Sequence, residues 1–326
     1  MKLSLGEIAK KIDATFLGDK SIEINSISSK TNVNEDQRAI VFISKYDFDE
    51  GTISKNIVLL LNQSLYEEFK EKEKLNFLIC KNPKLSFAIL TNLFKESISS
   101  PQYQNLHPNL NKLFLGNNVS IGANFKYGSN CIIEDNVSIG DNVTIENNVI
   151  IHHRTVIGNN VTIRSGTFIG SEGFGNVQFN DNSWCHITHL GNVILKNNID
   201  IGYNCCIDRA TLDSTIINSG VIIDNLVHIA HNVIIGENTA IAAKVGIAGS
   251  CNIGKRNMIG GMVGIVDHIS TADDVFISAT SSVINDIKEP GVYSGIMPIS
   301  KHSAWKRIAF WITKLDKIAK QFKFKK

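Results

Sequence analysis

The chain has 326 residues, 43% of them hydrophobic, and a formal net charge of only +2. That is enough for two or three structural units, but no apolar run is long enough to span a bilayer, and outside a basic C-terminal helix the chain is slightly acidic and lacks aromatic interleaving, which argues against nucleic-acid binding. Six cysteines with no CxxC pair suit a reducing compartment and the start lacks a signal-peptide pattern, so a cytoplasmic location is expected.

Residues 1–100 read as a small α/β domain. Leu5, Ile8, Ala9 and Ile12 predict a short amphipathic helix, and Gly18-Asp19 a turn. Strand-like runs fall at 39–44, 57–61 and 76–80, with a helix around 84–96. A polar link carrying Pro101 and Pro108 leads onward.

Residues 101–298 follow a six-residue beat. Leu115, Ile121, Tyr127, Ile133, Ile139, Ile145, Ile151, Ile157, Ile163 and Ile169 recur in step, and a second series from Leu113 to Thr167 runs two places earlier. The beat resumes from Ile217 to Ile265. Such a period predicts a left-handed parallel β-helix, each hexad giving one short strand and one corner. Three hexads close a triangular coil. Both series face inward because strand side chains alternate. Asn118, Asn124, Asn130, Asn136, Asn142, Asn148 and Asn160 fall at the corners, where Asn tolerates the left-handed backbone. All five prolines lie outside 109–289, as an unbroken ladder requires. Cys131 and Cys251 fall on inward beats and read as packing. The phase is lost over 170–192, which reads as an extruded loop, and Leu195, Ile201 and Ile207 run in a different phase.

Residues 299–326 change period again. Trp305, Ile308, Ile312, Leu315, Ala319 and Phe322 predict one amphipathic helix with a heptad-like seam, packed on its own subunit or at an oligomer axis. Residues 302–326 carry +7, leaving about −5 for the remainder, so an acidic protein is the expected partner.

Among nine histidines, His231 lies two places after the inward Ile229, at a corner. Gly249, 18 residues on, should stack one coil above it. An imidazole base beside a backbone N–H suits acyl transfer. Asp224 is a candidate to orient the ring, and His268, about two coils on, to bind phosphate or assist. His228, His186 and His189 are weaker candidates, and His152 and His153 read as surface residues. No spacing forces a metal trio of His228, His231 and His268, and no metal site is expected.

The stretch Ile223-Asp224-Asn225-Leu226-Val227-His228-Ile229-Ala230-His231-Asn232 joins several other motifs. These are Ala242–Ser250, Ile259-Gly260-Gly261, His268, Pro290–Gly295, Gly170-Ser171-Glu172-Gly173-Phe174-Gly175 and Ile207-Asp208-Arg209. Together they closely resemble the UDP-3-O-(3-hydroxyacyl)glucosamine N-acyltransferases of lipid A biosynthesis, over nearly the whole chain. The resemblance implies His231 as general base, Gly249 N–H as oxyanion donor and His268 as second histidine. It implies a homotrimer with active sites between prisms, uridine bound by the N-terminal domain, and acyl carrier protein received by the C-terminal helices. On that pattern Phe42 and Tyr46 stack on uracil, Asn225, Glu172, Phe174 and Lys244 contact substrate, and Lys314, Lys317, Lys320 and Lys323 receive the carrier protein. Anionic inner-membrane lipid is the alternative occupant of that basic face. No cofactor is expected, because the donor's phosphopantetheine belongs to the carrier protein. The chain departs from the family's usual residues at Lys244, Met262, His228, Asp267 and Glu172, and its Phe42–Tyr46 segment is shorter. Small residues at Ala279, Ser281 and Ser282 leave room for a long acyl chain. The alternatives are a UDP-GlcNAc O-acyltransferase of the same fold, a metal-dependent β-helix hydratase and a non-catalytic scaffold.

Overall fold

The structure is a computed structural model and describes residues 3–19, 22–29, 31, 38–46, 49–94, 104–105, 113–295 and 299–321. The N-terminal helix Leu5–Lys11 opens on a reciprocal cap in which Ser4 accepts from Glu7 N–H and the Glu7 carboxylate takes Ser4 N–H. A five-stranded sheet follows, in the order Thr15–Leu17, Asn76–Ile79, Ile57–Leu61, Ala39–Phe42, Ser26–Ser28. The first pair is antiparallel and the others parallel. All of Ile57–Leu61 is buried because both faces are covered. Val58 and Leu60 pack with Leu5, Ile8 and Leu90, whereas Leu59 and Leu61 pack with Phe69 and Phe77. The helix Pro83–Leu93 starts one residue before and ends three before the expected range.

The hexads build a left-handed parallel β-helix of three sheets with seven, nine and ten strands. Among the described residues of these sheets only the outermost pair, Gln104–Asn105 on Leu113–Leu115, is antiparallel. Along the first coils each residue pairs with the one 18 positions on, as Ile121 does with Ile139. The inward aliphatic series forms one continuous core from Leu113 to Ile287. Full burial of each Ile or Val contributes about 1.5–3 kcal/mol. Ile121 remains 37% exposed because it belongs to the first coils, at the end of the prism.

Corner chemistry matches the Asn beat. Asn118 through Asn160 take φ between +54° and +59°, and their side chains link coil to coil, Asn124 Nδ2 donating to Asn142 Oδ1 at 3.0 Å. Later corners place Leu226, Lys244, Ser250, Met262 and His268 in the same backbone region. Such non-Gly positions cost of order 1–2 kcal/mol each, and the ladders on either side hold them there.

The lost phase has two causes. The coil spacing jumps from 18 to 38 residues across 172–191 and is 22 at the next coil. The larger insertion is more than a loop. Asn176–Gln178 and Trp184–His186 form an antiparallel hairpin. Its Cys185 and Ile187 enter the N-terminal domain's core, Asn92 Nδ2 donates to His186 O (2.9 Å), and Thr188 Oγ1 donates to Asn92 Oδ1 (2.7 Å). The insertion therefore ties the small domain to the prism.

The C-terminal segment is two helices, His302–Ile312 and Leu315–Gln321, where the heptad spacing predicts one. At the break Thr313 Oγ1 donates to Phe310 O, a local bond that competes with helix continuation. Trp305, Ile308, Ile312 and Leu315 are exposed, so these seam residues do not pack on the described residues of their own chain. Among the described residues no helix is long and apolar enough to cross a membrane.

Candidate active site

One face of the prism stacks Cys206–Asp208, His228–Ile229, Gly246–Ile247, Gly264–Ile265 and Ser282–Val283 in register. Ile207, Ile229, Ile247, Ile265 and Val283 point inward and are buried. Alternation therefore leaves Cys206, His228, Gly246, Gly264 and Ser282 facing out. A Cβ added at Gly246 or Gly264 would meet nothing within 4 Å, so these glycines leave an open floor. The floor belongs to a cavity of about 1060 Å³ reaching from Ser282 to Phe42 and Phe87 of the small domain.

At the end of this floor the chain turns a corner. His231, Gly249 and Asp267 hold the same position in successive coils, as Ser250 N–H donating to His231 O and His268 N–H donating to Gly249 O register. The imidazole lies across Gly249, where an added Cβ would stand 2.6 Å from both Cε1 and Nε2. Any side chain at 249 would push the ring out of this position. At other corners the equivalent N–H is capped from one coil on, as Ser129 N–H is by Asn147 Oδ1 and Lys255 N–H by Asp273 Oδ1, both at 2.8 Å. Among the described residues no acceptor takes the Gly249 N–H.

The tautomer of His231 follows from its neighbour. Asn232 Oδ1 accepts from Thr211 N–H (2.9 Å) and Asn232 Nδ2 donates to Leu212 O (2.8 Å), which fixes the amide orientation. The oxygen also faces His231 Nδ1 at 3.1 Å, so Nδ1 carries the proton and Nε2 keeps its lone pair. The arrangement is a base nitrogen beside an open backbone donor.

Asp224 does not orient His231 within its own chain. It follows the strand Ile222–Ile223 on an adjacent face and borders a separate groove with Arg164 and Asp200, while its Oδ1 accepts from Asn225 N–H. Within the chain Asn232 orients His231. Sequence reasoning missed it because an Asn at a corner is already explained by turn geometry. Asn225 and Lys244 share Asp224's edge, Lys244 N–H donating to Asn225 O and Asn225 Oδ1 accepting from Tyr203 N–H. That edge is separated from the His231 corner by the strand His228–Ile229, so these three residues do not join the cavity of their own chain.

His268, His228 and Phe174 line the cavity with His231, and Phe174 is almost fully exposed. The three histidines do not converge on one point as metal ligands. His228 Nε2 instead lies 3.7 Å from the buried Asp208 carboxylate. Glu172 turns from the cavity to His186 Nε2 at 2.9 Å. Ser282 lines the cavity, but Ala279 and Ser281 do not. Phe42 stacks on Phe87 at 5.5 Å. Tyr46 packs edge-on against Phe69 and bonds to Glu50, which pushes its phenol up to about 12. The two rings therefore face different neighbours and do not form the expected pair around one base. Lys314 lies over Phe310, Lys317 and Lys320 are exposed, and Lys323 lies outside the described residues.

His189 carries more structure than its sequence suggested. It is 2% exposed and packs edge-on against His231, ring centroids 5.1 Å apart. Burial first, then the neighbouring His231, lowers its pKa to about 4.

Comparison with known proteins follows the same lines. Residues 136–171 match the bacterial transferase hexapeptide model of six repeats. A UDP-N-acetylglucosamine O-acyltransferase structure from Moraxella catarrhalis RH4 shares the fold, with TM-score 0.52 and 24% identity over 58% of this chain and 70% of that one. The UDP-3-O-acylglucosamine N-acyltransferase of Hahella chejuensis is 43% identical over 157 residues, 48% of this chain and 45% of that protein; the match spans somewhat under half of that relative. The Acinetobacter baumannii (strain AYE) protein of the same name is 38% identical over 315 residues, 93% of this chain and 87% of its own. The chain belongs to the UDP-3-O-acylglucosamine N-acyltransferase family.

Proposed function

We propose that the chain transfers a 3-hydroxyacyl group from acyl carrier protein to the 2-amino group of UDP-3-O-(3-hydroxyacyl)glucosamine, in the cytoplasm and on the route to lipid A. The observation that carries this reading is the His231 edge, with Nδ1 engaged by Asn232, Nε2 over Gly249, and an unclaimed Gly249 N–H beside an open floor. Family membership supports it.

An amine attacks only when unprotonated. As the nitrogen closes on the thioester carbon, Nε2 of His231 takes its proton. The carbonyl oxygen gains charge and the Gly249 N–H stabilises it. Collapse breaks the C–S bond, and the imidazolium returns the proton to the leaving thiolate. A C–N bond has replaced a C–S bond, with no covalent enzyme intermediate and no cofactor of the protein's own.

A homotrimer gives the remaining predicted residues a role. Asp224, Asn225 and Lys244 lie on the edge opposite the His231 corner, so a threefold assembly can offer this edge of one prism to the cavity of the next. Phe42, at the far wall, is the remaining candidate for the uracil ring. Lys314, Lys317 and Lys320 form the landing surface for the acidic carrier protein.

Product analysis tests the reading. With a 3-hydroxyacyl carrier protein and either UDP-3-O-acylglucosamine or UDP-GlcNAc as acceptor, mass spectrometry should detect an amide from the first and no ester from the second. Ester formation on UDP-GlcNAc alone would assign the chain to O-acyl transfer instead.

A further inference from the structure

The hairpin insertion holds a cluster that acyl transfer does not use. Glu172, His186 and His189 each offer one ligand-type atom, and these atoms lie within 4.8 Å of one another. His186 Nε2 is 2.9 Å from Glu172 Oε1, which also accepts His189 N–H at 3.2 Å. The His186 and His189 rings lie nearly parallel, at 29° with centroids 6.1 Å apart.

The second observation is His189 itself. It is buried, and neither ring nitrogen makes a hydrogen bond of full geometry, the Ile187 backbone offering only a weak one. A neutral imidazole carries one donor and one lone pair. Leaving buried polar atoms unmatched costs about 1–3 kcal/mol each, and native interiors seldom leave them so without a ligand, water or ion.

We propose that Glu172, His186 and His189 bind a divalent transition-metal ion, with Zn²⁺ the best match. Two imidazoles and a carboxylate are a nitrogen–oxygen donor set suited to Zn²⁺, and three protein ligands leave a fourth position for water. The ion replaces the His186–Glu172 hydrogen bond. Tetrahedral donors at about 2.0–2.1 Å from a metal stand about 3.4 Å apart, so this pair needs to open by only about half an ångström. Bound there, the ion clips both ends of the insertion together and gives His189 a partner. Because His189 packs against His231, the clip also stiffens the wall behind the catalytic ring. The site goes beyond acyl transfer and does not depend on that assignment.

The test uses the full-length protein stripped with chelator, then titrated with Zn²⁺ and with Co²⁺. One ion per chain should bind, Co²⁺ should give the visible absorption of a low-coordinate nitrogen–oxygen site, and the Tm should rise with Zn²⁺. His186→Ala removes an exposed ligand without disturbing the core and should weaken binding by more than about 100-fold. Glu172→Gln should weaken it as well. Absence of stoichiometric binding overturns the site, as does binding that survives both substitutions. A thiolate-to-Co²⁺ charge-transfer band lost in Cys206→Ser would also overturn it, because Cys206, Asp208 and His228 form the other such group among the described residues.

Discussion

The carboxamide of Asn232 decides which nitrogen of His231 is free. Its oxygen is held in place by Thr211 and its nitrogen by Leu212, so the imidazole must donate through Nδ1 and accept through Nε2. Glycine at position 232 removes the carboxamide while keeping the left-handed backbone unstrained. Asn232→Gly should therefore lower kcat by about 10- to 100-fold with little change in KM, because the ring loses its orientation but the cavity keeps its walls. Steady-state kinetics would check this, and a rise in KM at unchanged kcat would assign Asn232 to binding. The sequence exposed His231 and Gly249 because 18-residue spacing converts directly into stacking. It concealed Asn232 behind the corner rule, and it suggested Asp224 because seven residues looks near along the chain. In a triangular coil, seven residues carries the chain past one strand to the next corner.

At the scale of elements, the six-residue beat made the prism legible almost residue by residue, down to the φ of each corner Asn. The hairpin at 176–186 was illegible because its polar residues alternate weakly and its apolar side chains pack on another domain. Phe42 and Tyr46 failed as a pair for a related reason. The strand Ala39–Phe42 ends between them, and their rings then join opposite sides of the sheet. The prism also holds a partly buried carboxyl, Glu134, against His152 and His153 of the next coil. Burial pushes its carboxyl up, but hydrogen bonds from His152 and His153 outweigh this and hold it well below the usual carboxylate range. A carboxyl with a depressed folded-state pKa adds stability that is fully present above its unfolded value, about 4.3, and is lost as pH falls below it. Chemical denaturation from pH 6 to pH 3 should show a steeper loss of stability for the wild type than for Glu134→Gln, which has no proton to bind there. Parallel curves would mean that the His152 and His153 contacts contribute nothing.

Across the whole molecule, charge and shape divide the labour. The body is slightly acidic, and the basic C-terminal segment carries exposed helices whose seam residues Trp305, Ile308, Ile312 and Leu315 are uncovered among the described residues. Its cations should act mainly on donor encounter, which is electrostatic and salt-sensitive. Lys317→Glu with Lys320→Glu should raise the apparent KM for acyl carrier protein by roughly tenfold at low salt, and added salt should narrow the gap from the wild type. An unchanged donor KM would point to another landing surface, and liposome flotation of the same pair would reveal a lipid role. In the proposed trimer the edge with Asp224, Asn225 and Lys244 would gain a chemical role only against a neighbouring prism, which one chain's packing does not reveal.

Single-turnover amide formation by His231→Ala, compared with the wild type at matched oligomeric state, tests the base assignment most directly. The account predicts a fall of about 10²–10⁴-fold with the assembly and donor binding intact. A variant that turns over at nearly the wild-type rate would contradict it.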